Sequence, residues 1–126
     1  MYKEMEEYAK LNGVPIMMKD GIEYLCNYIK EHNIKNILEV GTAIGYSAIV
    51  MASLSPDITI TTIERDEERY MLAVNNVKKY HLENQINLIF GDASEVEVSG
   101  EYDLIFIDAS KGHNIEFFNR DKAITN

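Results

Sequence analysis

Four short apolar runs, each closed by a glycine or a carboxylate and set apart by segments of helical period, constrain this chain more than any other feature. Residues 36–40 run apolar up to Gly41, and residues 58–63 are mainly β-branched and end at Glu64. Ile86, Leu88 and Phe90 alternate before Gly91 and Asp92, and the run 104–107 ends at Asp108. Strands buried on both faces read as such nearly continuous apolar runs. The intervening segments repeat differently. Ile22, Leu25, Cys26 and Ile29 recur at i, i+3, i+4 and i+7, as one buried helical face does, and Tyr70, Ala73, Val74 and Val77 mark one face of a helix over 66–80. Residues 2–11 read as a further helix ending near Gly13, and residues 47–54 as one that stops before Pro56. Strands alternating with helices specify right-handed βαβ units, so the fold class expected is α/β with a doubly wound parallel sheet. Ligands of such sheets bind outside the carboxyl ends of the strands. The glycine and acids at those ends are therefore the first place to look for chemistry.

Composition narrows the function classes. The 126 residues carry 12 Lys plus Arg against 21 Asp plus Glu, a net charge of −9, and 46% are hydrophobic. That is enough apolar material for one core, so the chain is read as a single domain over 1–126 and disorder is excluded as its main state. No apolar run approaches the roughly 18–20 residues of a membrane span, and the acidic N-terminus lacks a signal-peptide pattern. A cytoplasmic protein with no membrane partner is expected. The single cysteine, Cys26, excludes an internal disulfide and a Cys-rich metal site. It lies on an apolar stripe and reads as core. The acidic balance argues against non-specific nucleic-acid binding but leaves room for a local basic patch.

The segment 39–47, Glu-Val-Gly-Thr-Ala-Ile-Gly-Tyr-Ser, places Gly41 and Gly45 at a strand-to-helix turn where a ligand can approach the backbone closely. Ala43 stands where a dinucleotide fingerprint has its central glycine, and there is no P-loop Gly-Lys-Ser/Thr. A ligand without phosphates is implied. Glu64 can accept hydrogen bonds from both hydroxyls of a ribose, or else it caps the helix that begins near Asp66. Asp92 and Ala93 could frame an exocyclic amine, or form a simple turn before Ser94. Together these residues point to an adenosine bearing a non-phosphate group, and S-adenosylmethionine fits best. His32 and His81 end helices, where a polar or cationic ring suits the dipole.

On the segment 39–47, Glu64, Gly91-Asp92-Ala93 and the fourth-strand stretch 102–111, the chain resembles the class I, cation-dependent O-methyltransferases of the catechol and caffeoyl-CoA type. Within that family it looks most similar to bacterial tRNA 5-hydroxyuridine methyltransferases. The resemblance implies a Rossmann-like class I methyltransferase fold. It implies that Gly41, Thr42, Gly45 and Ser47 hold the methionine moiety of S-adenosylmethionine, that Glu64 holds the ribose, and that Asp92 and Ala93 frame the adenine. It places Met17, ahead of the first long helix, over the cofactor. Asp108 is implied as a ligand to cofactor and to a divalent metal, Mg2+ or a similar cation, and Lys111 as the general base. The substrate is then tRNA or a small hydroxylated molecule.

Family members complete the metal site with an Asp-Asn pair after a fifth strand, and this chain ends at Asn126 without one. The fold is accordingly expected to be truncated after the fourth strand, with the tail after Phe118 carrying no apolar strand. A non-catalytic cofactor-binding fragment is the alternative to an enzyme, and a nicotinamide oxidoreductase is a third reading that lacks its glycine pattern. With 104–107 left as an open edge, poor solubility, marginal stability or a homodimer formed through that edge is expected.

Overall fold

The computed structural model describes residues 2–13, 19–95, 102–109, 114–119 and 123–125. Its elements run α1 (Lys3–Asn12), α2 (Lys19–Glu31), β1 (Asn36–Val40), α3 (Tyr46–Ala52), β2 (Thr59–Glu64), α4 (Glu67–Lys79), β3 (Ile86–Phe90), β4 (Leu104–Ala109), β5 (Asn114–Asn119) and β6 (Ala123–Thr125). They form one six-stranded sheet in the order β3-β2-β1-β4-β5-β6. The first four strands in that order are parallel, as the alternation of strands and helices requires.

Register explains the core. Ile60 pairs with Ile86 on one side and Ile37 on the other, and Ile37 pairs with Leu104, so four aliphatic side chains cross the sheet in one row. All are buried, three of them completely. Burial of each contributes about 1.5–3 kcal/mol, and a slip of one residue would turn the row to the opposite face. All seven residues of α3 are buried, including Ile49 and Met51, so this short helix is an interior one. Leu25 and Ile29 on α2 carry the expected apolar stripe into the same core, with Cys26 partly buried beside them. Burial pushes the Cys26 thiol above its usual range.

Polar side chains set the limits of the elements. Asp66 accepts the Arg69 N–H at 3.0 Å, and α4 then begins with Glu67 and Glu68 and ends with Lys78 and Lys79, matching the helix dipole at both ends. Residues 66 and 80 of the expected helix are thus its caps. Asp103 accepts the N–H groups of Lys35 and Asn36 at 2.9 and 3.1 Å, tying the start of β1 to the start of β4. His32 stacks on Tyr28 at 4.0 Å and bonds its carbonyl through Nδ1 at 3.1 Å, the helix-end role expected of it.

α1 is fastened to α3 and α4. Met5 and Ala9 are buried, Glu4 pairs with Lys79 of α4, and Glu6 accepts the Tyr46 hydroxyl at 2.9 Å. Burial, then the bond to Glu6, pushes the Tyr46 phenol from 10.0 up to about 12. The folded state therefore keeps a proton that the unfolded chain releases. Stability should be complete below pH about 10 and fall as pH rises towards about 12. Urea unfolding of the native chain and Tyr46→Phe across that window checks this, the expectation being a steeper loss for the native chain. Parallel losses would show that Tyr46 does not titrate there.

β4 is not an edge. It pairs antiparallel with β5 over the full span from Leu104↔Asn119 to Ala109↔Asn114, and β5 pairs with β6. The expectation that the sheet stops at β4 with that edge open is corrected, and with it the ground for expecting insolubility or a dimer through β4. The physical reason is that the N–H and C=O groups of β4 need partners, and an antiparallel strand reaches them through a short connection with no crossover helix. Ile115 and Phe117 alternate with Asn114 and Glu116, a weak strand pattern bounded by asparagine at both ends.

Candidate functional site

The carboxyl ends of β1, β2, β3 and β4 lie side by side, and the turn after β1 is the most constrained part of them. Gly41 and Gly45 have φ of 97° and 92°, and Ala43 between them has φ of 52°. A left-handed residue with a Cβ costs about 1–2 kcal/mol, so something must hold Ala43 there. Its N–H donates to Glu64 Oε1 at 2.7 Å. The other carboxylate oxygen, Oε2, accepts the Asp66 N–H at 2.9 Å. Glu64 is buried and braces two loops at once, while the cap of α4 itself is Asp66. The turn is further pinned to β2, because the Gly41 and Thr42 N–H groups both donate to the Ile63 carbonyl, at 2.8 and 3.2 Å.

Gly45 is the N-cap of α3, and a Cβ added there would stand 3.5 Å from Cα and Cβ of Ala73, ordinary contact. The demand for glycine is thus a backbone one. Gly45→Ala should cost about 1–2 kcal/mol in urea unfolding. A loss under about 0.5 kcal/mol, the range of an unremarkable surface substitution, would show that the turn relaxes without strain.

Beneath the turn lies a chain of buried polar side chains. Glu39, fully buried, accepts the Ser47 hydroxyl through Oε2 and the Thr62 hydroxyl through Oε1, the latter at 2.6 Å. Thr42 and Thr62 share a hydrogen bond of 2.6 Å. Thr62 spends its single hydroxyl hydrogen on Glu39, so Thr42 is the donor in that bond. The order of donation is Thr42 to Thr62 to Glu39, with Ser47 closing on Glu39 from the other side.

Sequence reasoning singled out Thr42 and Ser47 but gave Glu39 and Thr62 no role. An acid two residues before a strand-end glycine, inside an otherwise apolar strand, was the available signal for Glu39. For Thr62 there was none without the register, which sets it opposite Glu39.

At the third strand end the Asp92 carboxylate accepts both the N–H and the hydroxyl of Ser94 through Oδ1, at 2.9 and 2.7 Å. These bonds, the backbone one first, hold its carboxyl below the usual carboxylate range. The side chain thus closes the turn that was the simpler of the two sequence readings, and Ala93 is exposed beside it. Asp108 stands in β4 one residue past Ile107, which pairs with Val40, so its backbone is level with the start of the glycine turn. Met17 and Lys111 lie outside the described residues. Among the described residues no three His, Cys, Asp or Glu groups come together as a cation would need.

A 3-2-1-4 parallel order, a strained glycine turn after the first strand and a buried acid ending the second define a doubly wound α/β protein with its candidate ligand site at the strand ends. Comparison with known proteins narrows this: a family model described as O-methyltransferase matches residues 1–124, and the chain belongs to that family. Tapetum-specific methyltransferase 1 of Arabidopsis thaliana is 33% identical over 125 residues, covering 92% of this chain and 52% of that protein. The catechol O-methyltransferase of Niastella koreensis is 37% identical over 91 residues, covering 67% of this chain and 41% of that protein. Among solved structures, a Staphylococcus aureus protein provisionally described as a caffeoyl-CoA O-methyltransferase superposes with a TM-score of 0.79 at 44% identity, covering 87% of this chain and 54% of that one. An O-methyltransferase from Bacillus cereus, solved in complex with S-adenosylhomocysteine, has a TM-score of 0.74 at 28% identity over 86% of this chain and 54% of its own. The chain spans about half the length of the relatives it matches.

Proposed function

We propose that this chain binds S-adenosylmethionine at the carboxyl ends of β1 to β3 and is the cofactor-binding part of an O-methyltransferase acting on a hydroxylated substrate. The observation that carries the reading is the left-handed turn from Gly41 to Gly45, held open by Glu64 and floored by the buried Glu39–Ser47 pair. A bound cofactor supplies an electrophilic methyl group on a sulfonium. The chain's own residues do the rest: the turn offers close backbone approach and Ser47 with Glu39 offers hydrogen-bonding groups to the methionine end. Glu64 keeps carboxylate acceptor capacity beyond its two backbone donors, which suits a ribose. Asp92 and Ala93 are assigned to the adenine end, and Met17 to the cover.

The finer reading concerns metal and substrate. A divalent cation at Asp108, with Lys111 as base, follows from the family resemblance. One carboxylate is too few for an octahedral cation, so the described residues do not by themselves make that site. For the substrate, the names of the relatives, catechol and caffeoyl-CoA O-methyltransferases among them, favour a small hydroxylated aromatic molecule. The resemblance to tRNA methyltransferases favours 5-hydroxyuridine in tRNA.

Calorimetry of this chain with S-adenosylhomocysteine and with NAD tests the cofactor, and binding of the first alone is expected. Binding of NAD alone, or of neither, would overturn the reading. Methyl transfer to catechol and to 5-hydroxyuridine transcripts, each in magnesium and in chelator, then tests the finer proposals. Equal rates in magnesium and chelator would reject the cation, and the preferred acceptor decides the substrate class.

A further inference from the structure

We infer that Thr62, a β2 residue, is a positioning residue for cofactor binding, acting through Glu39 on the turn above it. The inference rests on the cofactor assignment just made. Thr62 is fully buried, and its hydroxyl is the middle link of the polar chain under the turn. On one side it fixes Glu39 Oε1 at 2.6 Å, which leaves Oε2 aimed at Ser47 on the first turn of α3. On the other it receives the Thr42 hydroxyl at 2.6 Å, and Thr42 belongs to the turn itself. The neighbouring Ile63 carbonyl holds the Gly41 and Thr42 N–H groups. Strand β2 therefore orients both the carboxylate and the backbone that would meet the methionine end of the cofactor. Without the Thr62 hydroxyl, Glu39 Oε1 loses the 2.6 Å hydrogen bond that orients it from β2. Thr42 meanwhile keeps a buried hydroxyl whose acceptor is gone, and such a group pulls its own loop towards any alternative partner.

Shape and hydroxyl can be separated at this position. Thr62→Val keeps the branched shape and removes the hydroxyl, whereas Thr62→Ser keeps the hydroxyl and removes the packed methyl. Affinity for S-adenosylhomocysteine, measured by calorimetry, should fall about tenfold or more in Thr62→Val, the scale of one hydrogen bond to a charged group. In Thr62→Ser it should stay within about twofold of the native chain, the scale left when no such bond is lost. Urea unfolding gives the second readout, with Thr62→Ser destabilised by its lost methyl while still binding, so that affinity and stability part company. Should Thr62→Val not fold, Thr62→Ala against Thr62→Ser makes the same comparison. Native affinity in Thr62→Val, or equally weak binding in the valine and serine variants, would overturn the inference and leave the cofactor assignment standing. Absence of binding by the native chain would overturn both.

Discussion

Glu64→Ala should weaken S-adenosylhomocysteine binding by about 2–4 kcal/mol, roughly 30- to 1,000-fold, if the carboxylate holds the ribose hydroxyls. The structure adds a second consequence that the sequence did not contain. The same carboxylate accepts the N–H of Ala43, the strained residue of the glycine turn, and the N–H of Asp66. Removing it leaves both donors without that acceptor and lets the turn relax from its left-handed conformation. Part of the affinity loss would then come from a disordered turn, and the fold itself should lose about 1.5–3 kcal/mol, the net worth of a hydrogen bond to a charged group. Glu64→Gln separates the contributions, since its amide oxygen can keep one of the two backbone bonds while the negative charge is gone. Calorimetry and urea unfolding on both variants check the scheme. Native affinity in Glu64→Ala would refute the ribose assignment, and equal affinity loss with no change in stability would refute the brace.

Parallel strands β1 to β4 and their ends were legible in the sequence because both signals involved are local. Apolar runs mark strands buried on both faces, and the glycine or acid that stops each run marks where a ligand can sit. Helix limits were legible to within one or two residues, with discrepancies falling on caps such as Asp66 and Tyr80, whose dihedrals are not helical. The hairpin-like β5 and β6 escaped notice since Asn114–Asn119 is polar at both ends and only weakly alternating, and its pairing is dictated by the unpaired edge of β4. The site was legible in part. Gly41, Ser47 and Glu64 stand out by spacing along the chain. Thr62 does not, because its meaning comes from a cross-strand neighbour 23 positions away that only the register reveals. Likewise Glu64 was read as facing either a ribose or a helix end, and no sequence pattern announces that Ala43 would borrow one of its oxygens.

Glu39 carries the largest expected effect on stability. Glu39→Leu fills nearly the same volume with an apolar side chain but strips the acceptor from Ser47 Oγ and from Thr62 Oγ1. Thr62 can turn its hydrogen to Thr42, whereas the hydroxyl of the buried Ser47 loses the acceptor it has in Glu39. The expected cost is about 2–4 kcal/mol, since a buried donor left unsatisfied forfeits its full desolvation and the two threonines must reverse their bond. A double-mutant cycle with Ser47→Ala isolates the interaction. In the native background Ser47→Ala removes one donor from a buried carboxylate and should cost about 1.5–3 kcal/mol. In the Glu39→Leu background the same change removes an orphan and should cost nothing or even stabilise, giving a coupling of about 1–3 kcal/mol. Additive losses in urea unfolding would mean that Ser47 and Glu39 contribute independently and that the floor of the turn is not one connected network. Coupling of the expected size would tie the stability of the fold to the same pair of side chains that the cofactor has to meet. Cofactor binding should then raise the unfolding midpoint of the native chain more than that of Glu39→Leu.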